Sequence, residues 1–108
     1  MLFRSVTGVS GSGPAYVFTF IQAMADGAVK MGIPRNQALE LAAQTVMGAG
    51  AMVLENLENP IALRDKVTSP GGTTIEALHV LEKKGFSGII MKAVEAATEK
   101  SKRLGSKE

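Results

Sequence analysis

The residues best suited to do chemistry lie in one stretch, which runs from Asp65 to Leu81 and reads DKVTSPGGTTIEALHVL. Ser69 precedes Pro70 and is therefore restricted toward an extended backbone. Gly71 and Gly72 have no Cβ, so the backbone there can turn sharply and lie against a ligand. The apolar residues after this turn recur at helical spacing, namely Ile75, Leu78 and Leu81. The stretch therefore predicts a tight turn that leads directly into a helix.

The start of that helix predicts an anion-binding site. The first amides of a helix have no intrahelical acceptor, and the helix dipole is positive at that end. The hydroxyl groups of Ser69, Thr73 and Thr74 lie beside these amides in the sequence, and together they suit a small anion. The same residues are also typical of a plain turn and helix cap, because Ser and Thr are preferred caps. Composition alone favours neither interpretation.

Two other residues with acid–base capacity, His79 and Tyr16, are expected to be structural. His79 lies more than a helical turn beyond the loop and has no second histidine or cysteine with which to share a metal, so we expect a packed or surface histidine and no metal site. Tyr16 is expected to be a core or interface aromatic. Gly11 and Gly13 do not form a dinucleotide fingerprint, because the third glycine is replaced by Tyr16 and no strand precedes them.

The composition predicts a small domain that buries part of its apolar surface against another chain. Hydrophobic residues make up 45% of the sequence and aromatic residues only 5%, so a core of Ala, Met and Gly is thin. The net charge of +2 and the scattered basic residues give little support for nucleic-acid binding. The absence of cysteine excludes disulfides and thiolate metal sites and fits a cytoplasmic protein. A membrane span is not expected, because SGSGP interrupts the uncharged segment 5–25.

Glycine, proline and asparagine divide the chain into five predicted helices without a strand, the first two being the longest. A flexible entry of small residues at 10–13 precedes them. The expected helices are Pro14–Met31, Pro34–Glu55, Asn59–Val67, Gly72–Lys84 and Phe86–Arg103.

Periodicity predicts which side chains these helices bury. The first helix should bury Val17, Phe20 or Ile21, Met24 and Ala28, and the last should bury Ile89 or Ile90, Ala93, Val94 and Ala97. The charged residues Arg64, Asp65 and Lys66 should be largely solvated. Gly48 and Gly50 each cost roughly 1 kcal/mol relative to Ala inside a helix. The small-residue seam Ala42–Ala51 therefore predicts close approach by a neighbouring helix, either of this chain or of a partner subunit.

Three segments resemble the pyrroline-5-carboxylate reductase family: DKVTSPGGTT at 65–74, TGVSGSGPAY at 7–16 and AMADGAVKMGIP at 23–34. The resemblance runs from about Val6 to about Leu104. It implies an all-α domain of the 6-phosphogluconate dehydrogenase C-terminal-like type, in which intertwined helices form a homodimer that is often assembled further. Residues 6–104 would be the helical dimerisation and substrate-binding domain, and 105–108 a tail.

The beginning of the chain departs from the family. Residues 1–5, MLFRS, do not resemble what precedes the helical domain in these reductases. They are expected to be a non-native or truncated start, and the family's N-terminal dinucleotide-binding domain is expected to be absent.

The resemblance also implies an activity, the reduction of 1-pyrroline-5-carboxylate to proline with NADPH or NADH in proline biosynthesis. By position, Ser69 and the amides around Gly71, Gly72 and Thr73 would hold the substrate carboxylate. The Thr74 hydroxyl would lie by the ring nitrogen, where it either donates a hydrogen bond or relays a proton. The missing domain would bind the cofactor, so this fragment alone is expected to be inactive. The alternative is a purely structural homodimerisation module with no ligand site.

Overall fold

The computed structural model describes residues 2–57 and 59–106, and these residues are helical almost throughout. Within them, six α-helices follow one another: α1 (Leu2–Val6), α2 (Gly13–Lys30), α3 (Arg35–Asn56), α4 (Pro60–Lys66), α5 (Thr73–Lys83) and α6 (Phe86–Ser106). A π-helical turn, Thr7–Gly11, lies between α1 and α2. No strand occurs in these two ranges, so the prediction of an all-α fold with five main helices is confirmed.

The beginning of the chain is more regular than its sequence predicts. A flexible entry was expected over residues 10–13, but α1 continues into the π-helical turn, which ends at Gly11. The amide of Ser12 donates to Thr7 O at 2.9 Å and so closes the turn. A run of five residues is too short to display helical periodicity, which explains why the pattern of the sequence does not reveal it.

The described residues up to Val17 and from Leu78 onward form one compact unit, in which the π-helical turn packs on α6. Gly8 is buried in this contact, and a Cβ at that position would overlap Thr98 Oγ1. Tyr16 Oη donates to Gly8 O at 3.0 Å and fixes the turn. The part-buried Tyr16 is therefore the structural aromatic that the sequence predicts.

The buried face of α6 lies further along the helix than predicted. Three expected inner residues are half-buried, namely Ala93, Val94 and Ala97. The two candidate isoleucines are exposed, Ile89 by 60% and Ile90 by 39%, because the contact with the π-helical turn is made around Thr98. With 21 residues, α6 is also longer than α2, which has 18. The expectation that the first two helices are the longest is therefore wrong.

The second compact unit, Phe18–Ala77, has a core of alanines. Ala25 of α2 is 0% exposed, and Ala38 and Ala42 of α3 are 1% and 4% exposed. Four larger or neighbouring apolar residues pack around them, namely Ile21, Ala28, Val29 and Ile33. Because alanine ends at Cβ, the contact between α2 and α3 at this core is made by very small side chains.

This alanine contact corrects the face predicted for α2. Ile21, one of the two alternatives Phe20 and Ile21, and Ala28 are partly buried as expected, but Val17 and Met24 are exposed. The periodicity of the sequence is correct, yet the face that meets α3 is centred on Ala25, because the smallest side chain permits the closest helix packing.

Large apolar side chains remain exposed on several sides of α3. Leu39, Leu41, Met47 and Leu54 are between 46% and 75% exposed, and their positions are distributed around the helix. Exposed apolar surface of this extent is typical of an interaction surface, so the surplus of apolar surface predicted from composition is present. None of the helices in the described ranges is long and apolar enough to cross a membrane.

The glycine seam of α3, formed by Gly48 and Gly50, has no neighbour within the described chain, whereas Ala42 at the start of the small-residue seam Ala42–Ala51 is buried in the core with Ala25 of α2. A Cβ built on Gly48 or on Gly50 would meet no atom within 4 Å. A helix of this chain thus meets the predicted seam at Ala42, and the described residues supply no neighbour at the two glycines.

The helices end where the sequence signals predict, and two of these ends define the connection that carries the candidate site. Gly32 adopts φ 106° after α2, and Gly85 adopts φ 82° after α5. Asn59 Oδ1 accepts from the amide of Ile61 at 2.8 Å, which caps the start of α4. Since α4 ends at Lys66 and α5 begins at Thr73, the predicted turn lies within the short connection 67–72 between these two helices.

An ion pair between α2 and α3 predicts a pH-dependent contribution to stability. Asp26 Oδ1 accepts from Arg35 Nη1 at 2.5 Å and from Gln22 Nε2 at 3.0 Å, and these bonds lower the pKa of Asp26. A carboxyl whose folded pKa is lowered adds stability above its unfolded pKa, roughly 3.9 for aspartate. That stability is lost as the pH falls through the folded pKa. Asp26→Asn should therefore lower the melting temperature near neutral pH and leave it unchanged in acid below both pKa values.

Thermal melts of the wild type, Asp26→Asn, Arg35→Met and the double variant across this pH range would measure the coupling. Both side chains are about half exposed, so the coupling should be small. A coupling between the two substitutions that persists in strong acid would contradict the assignment.

Candidate functional site

The connection between α4 and α5 is built around a type II β-turn over Ser69, Pro70, Gly71 and Gly72. The amide of Gly72 donates to Ser69 O at 3.1 Å, which closes the turn. Pro70 has its φ fixed near −65°, and Gly71 adopts φ 69°. Negative φ at the second position and positive φ at the third are the dihedral pattern of type II, which requires glycine or asparagine at the third position. The predicted sharp turn is therefore confirmed.

The two glycines of the turn serve different purposes. Gly71 provides the positive φ, and nothing lies within 4 Å of the place where its Cβ would be. Gly72 provides space instead, because a Cβ there would overlap Ser69 Oγ and lie 3.3 Å from Ser69 O. The absence of a side chain at Gly72 thus allows the Ser69 hydroxyl to lie directly beside the start of α5.

The turn is tied to the end of α4 by the residue that precedes Ser69. Thr68 Oγ1 donates to Arg64 O at 2.6 Å, and the Thr68 amide donates to Asp65 O at 3.2 Å. The amide of Val67 also donates to Arg64 O, at 3.1 Å. These bonds satisfy carbonyls that a helix end leaves without intrahelical donors. Hydrogen bonds therefore run continuously from the last turn of α4 to the closed β-turn.

The predicted site residues Ser69, Thr73 and Thr74 lie together at the beginning of α5. Ser69 and Thr73 are exposed, and Thr74 is half-buried. Because α5 begins at Thr73, the amides of its first turn have no intrahelical acceptors. The amide of Gly72 differs, since it donates to Ser69 O. The arrangement offers three hydroxyls, a set of backbone amides and the positive end of a helix dipole to a ligand.

Arg64 is less solvated than its sequence context predicts. Its neighbours Asp65 and Lys66 are exposed as expected, but Arg64 is half-buried. Its Nε atom is buried and has no hydrogen-bond partner among the described residues. Positive charge at the end of α4 is favourable because the dipole of that helix is negative there.

His79 and the segment around Gly11 do not contribute reactive groups to this site. His79 is exposed on α5, in agreement with a surface histidine. In the parts of the chain that the structure describes, no group of three His, Asp or Glu side chains could hold a metal ion. Gly11 belongs to the π-helical turn rather than to a loop after a strand, so this segment does not fit a dinucleotide phosphate.

A family model for pyrroline-5-carboxylate reductase dimerisation matches residues 1–104. The chain belongs to this family. The match covers the turn, the two helices that flank it and the alanine core, so the resemblance seen in the three sequence segments extends through almost the whole chain.

Proteins named pyrroline-5-carboxylate reductase are similar to this chain in widely separated organisms. The Escherichia coli K12 protein is 58% identical over 103 residues, which are 95% of this chain and 38% of that protein. The pyrroline-5-carboxylate reductase 3 of Xenopus laevis is 56% identical over 101 residues, covering 94% of this chain and 37% of that protein. The chain thus spans less than two-fifths of the length of these relatives.

Solved reductase structures share the fold. The Plasmodium falciparum pyrroline carboxylate reductase, solved with NADP bound, superposes with a TM-score of 0.91 and 43% identity over 95% of this chain and 39% of its own. The Streptococcus pyogenes 1-pyrroline-5-carboxylate reductase gives a TM-score of 0.90 and 38% identity over 94% of this chain and 39% of its own. At these identities the likeness supports the family as well as the fold.

Sequence reasoning identified the hydroxyls of Ser69, Thr73 and Thr74 but gave no separate part to Thr68. Its hydroxyl bonds the carbonyl four residues earlier, a local pattern typical of threonine near helices. The usable signal in the sequence was a threonine placed between a short helix and a Ser-Pro turn.

The positive φ of Gly71 predicts a specific stability cost for substitution. Left-handed backbone costs an L-residue roughly 1–2 kcal/mol, and no neighbouring atom is close enough to add a clash. Gly71→Ala should therefore destabilise the protein by about that amount, and Gly71→Asn should cost less because asparagine tolerates this region. Urea unfolding at one fixed protein concentration would measure both variants. An alanine variant as stable as the wild type would exclude the type II turn.

Proposed function

We propose that this chain is the dimerisation and substrate-binding part of a reductase that converts 1-pyrroline-5-carboxylate to proline with NADPH or NADH. Family membership supplies the reaction class, since the similar proteins carry that enzyme's name. The observation that carries the proposal for this segment is the turn that brings the Ser69 hydroxyl to the start of α5. A substrate with a carboxylate beside an imine needs an anion site next to a hydrogen-bonding group, and this segment offers both.

The substrate carboxylate is held at the start of α5. Ser69 donates its hydroxyl, and the amides at Thr73 and Thr74 donate from the first turn of the helix, where the dipole favours negative charge. Gly71 permits the turn. Gly72 contributes mainly through its missing side chain, because its amide already donates to Ser69 O. These groups are fixed before the ligand arrives, so binding requires little reordering of the loop.

Thr74 acts on the ring nitrogen. Its side chain is half-buried and lies on the first turn of α5, one residue beyond Thr73. A hydroxyl there stabilises the nitrogen as the C=N bond is reduced, either as a hydrogen-bond donor or as a relay for the proton that the nitrogen gains. Thr74 therefore acts on a nitrogen whose charge changes during the reaction, whereas Ser69 acts on a carboxylate whose charge stays constant.

The hydride comes from NADPH or NADH, bound by parts of the enzyme other than the described residues. The Plasmodium relative was solved with NADP bound. In this chain the segment around Gly11 does not fit a dinucleotide, so we assign no cofactor-binding residue. The contribution of this segment is to hold and orient the imine.

The same chain forms a homodimer, which the family description and the exposed apolar surface support. The glycine seam on α3 has no neighbour in the described chain, and a helix of the partner subunit would fill it. Other exposed apolar residues on α6, such as Ile89, would supply contacts for assembly beyond the dimer.

A purely structural dimerisation module is the second candidate, because the exposed apolar surface would serve either role. Proline separates the two candidates, since it carries the carboxylate and the ring nitrogen of the product. Titration of the chain with proline can be monitored by NMR through the backbone amide resonances. If the site binds ligand, proline should shift the resonances of Thr73 and Thr74. Resonances that stay unchanged at saturating proline would favour the structural module.

Replacement of the two hydroxyls should separate binding from chemistry. The assay uses the Escherichia coli relative with its matching segment replaced by this chain, and it follows oxidation of NADPH. Ser69→Ala should mainly raise KM, with a loss of about 1–3 kcal/mol, typical of a hydrogen bond to a charged group. Thr74→Val keeps the shape of the side chain and should lower kcat more than it changes KM.

Thermal melts of the same proteins give the control for these kinetics. If the turn is only a helix cap, substitutions at Ser69, Thr73 and Thr74 should lower the melting temperature and leave the kinetic constants unchanged. Wild-type kinetic constants in both Ser69→Ala and Thr74→Val would refute the proposed site.

Enlargement of the glycine seam should weaken the homodimer. Within one chain, a Cβ at position 48 or 50 meets no neighbour within 4 Å, and replacing a helical glycine by leucine should stabilise the helix by roughly 1 kcal/mol. A partner helix packed on the seam would be pushed away by the larger side chain. Sedimentation velocity should therefore show a larger fraction of folded monomers, although leucine is a better helix former than glycine.

Gly27→Leu provides a matched comparison, because Gly27 is also a helical glycine without a neighbour within 4 Å but lies outside the seam. It should leave the association constant close to that of the wild type. A wild-type chain that sediments as a stable monomer would contradict the dimer, and unchanged association in both seam variants would place the interface elsewhere.

A further inference from the structure

We propose that Thr68 is the positioning residue of the substrate turn, and this inference rests on the function proposed above. Thr68 itself does not contact the substrate. Its hydroxyl fixes the backbone that carries Ser69, so that the carboxylate-binding groups are in place before the ligand arrives.

The geometry of Thr68 joins a helix end to the turn. Its hydroxyl donates to Arg64 O at 2.6 Å in a half-buried position, and its amide donates to Asp65 O at 3.2 Å. The next residue, Ser69, opens the turn that Gly72 closes. Thr68 is thus held to α4 by two hydrogen bonds, while the residue after it carries the hydroxyl that lies beside the start of α5.

The side-chain bond is not needed to complete the helix end. Arg64 O also accepts from the amide of Val67 at 3.1 Å, so the carbonyl keeps a partner when the Thr68 hydroxyl is removed. A buried acceptor left without any partner is strongly destabilising, but an acceptor that keeps one is much less so. The main effect of the Thr68 hydroxyl is therefore on the placement of the turn and only secondarily on global stability.

Placement of the turn affects substrate binding more than the chemical step. The carboxylate keeps its charge throughout the reaction, so a misplaced Ser69 weakens the ground state and the transition state together, which raises KM without lowering kcat. Loss of one neutral hydrogen bond corresponds to roughly a 2- to 10-fold change in an equilibrium constant. We expect KM to rise by about that factor in Thr68→Val.

The test uses the chimeric enzyme described above with Thr68→Val, Thr68→Ser and Thr68→Ala, with 1-pyrroline-5-carboxylate as substrate and proline as the equilibrium probe. Thr68→Val and Thr68→Ala should raise both KM and the dissociation constant of proline, with kcat nearly unchanged. Thr68→Ser retains a hydroxyl at the same position and should restore both constants. A merely structural role would lower the melting temperature without this split between KM and kcat.

Ser10→Ala is the control for removal of a hydroxyl. Ser10 Oγ also donates to the carbonyl four residues earlier, Val6 O at 3.1 Å, but it is not next to the turn in sequence. It should leave KM unchanged. If Ser69→Ala raises KM while Thr68→Val does not, or if Thr68→Ser fails to restore KM, the positioning role is overturned and the proposed site stands. If Ser69→Ala and Thr74→Val are also without kinetic effect, the proposed function itself fails.

Discussion

Close packing of helices through very small side chains is the constraint on which the rest of this structure depends. Ala25 meets Ala38 and Ala42 between α2 and α3, and Gly8 lies against Thr98 of α6. Contacts of this kind bring backbones together but bury little apolar area per residue, so they contribute modestly to the hydrophobic stabilisation of a single chain. The larger apolar side chains are consequently left on the outer faces. A second chain is the natural means of burying them, so the proposed dimer would follow from how the core is built.

The turn between α4 and α5 shows the complementary strategy, in which hydrogen bonds and backbone conformation replace packing. The connection between α4 and α5 has an exposed proline and an exposed glycine, so it cannot rely on apolar burial for its shape. Its geometry comes from the fixed φ of Pro70, the positive φ of Gly71 and the hydrogen bonds of Thr68 and Gly72. Such a segment can remain open to a ligand and still be ordered, because none of its determinants requires the exclusion of water.

The sequence predicted the helices and the turn because their signals are local. Gly32, Asn59 and Gly85 act through their own backbone or through a bond two residues away, and Ser-Pro-Gly-Gly permits few turns. The buried faces were harder to predict, since apolar residues occur on more than one side of α3, and periodicity cannot tell a face that meets α2 from one that stays exposed. The choice of Ala25 over Met24 depends on which approach distance is available, and that is a property of two helices together. The π-helical turn was missed because five residues display no period.

The same distinction, between properties of single residues and properties of pairs of elements, applies to the candidate site. The hydroxyls of Ser69 and Thr74 could be identified from residue type and spacing, since the chemistry they offer is intrinsic to the side chain. The proposed role of Thr68 could not be identified in this way, because its hydroxyl acts only through its bond to the Arg64 carbonyl at the end of α4. That carbonyl also accepts from Val67, so the helix would end in the same place without the hydroxyl. A bond that the fold does not need for its own completion, placed one residue before the hydroxyl proposed to meet the ligand, is more readily explained by the geometry of the candidate site than by the stability of the helix.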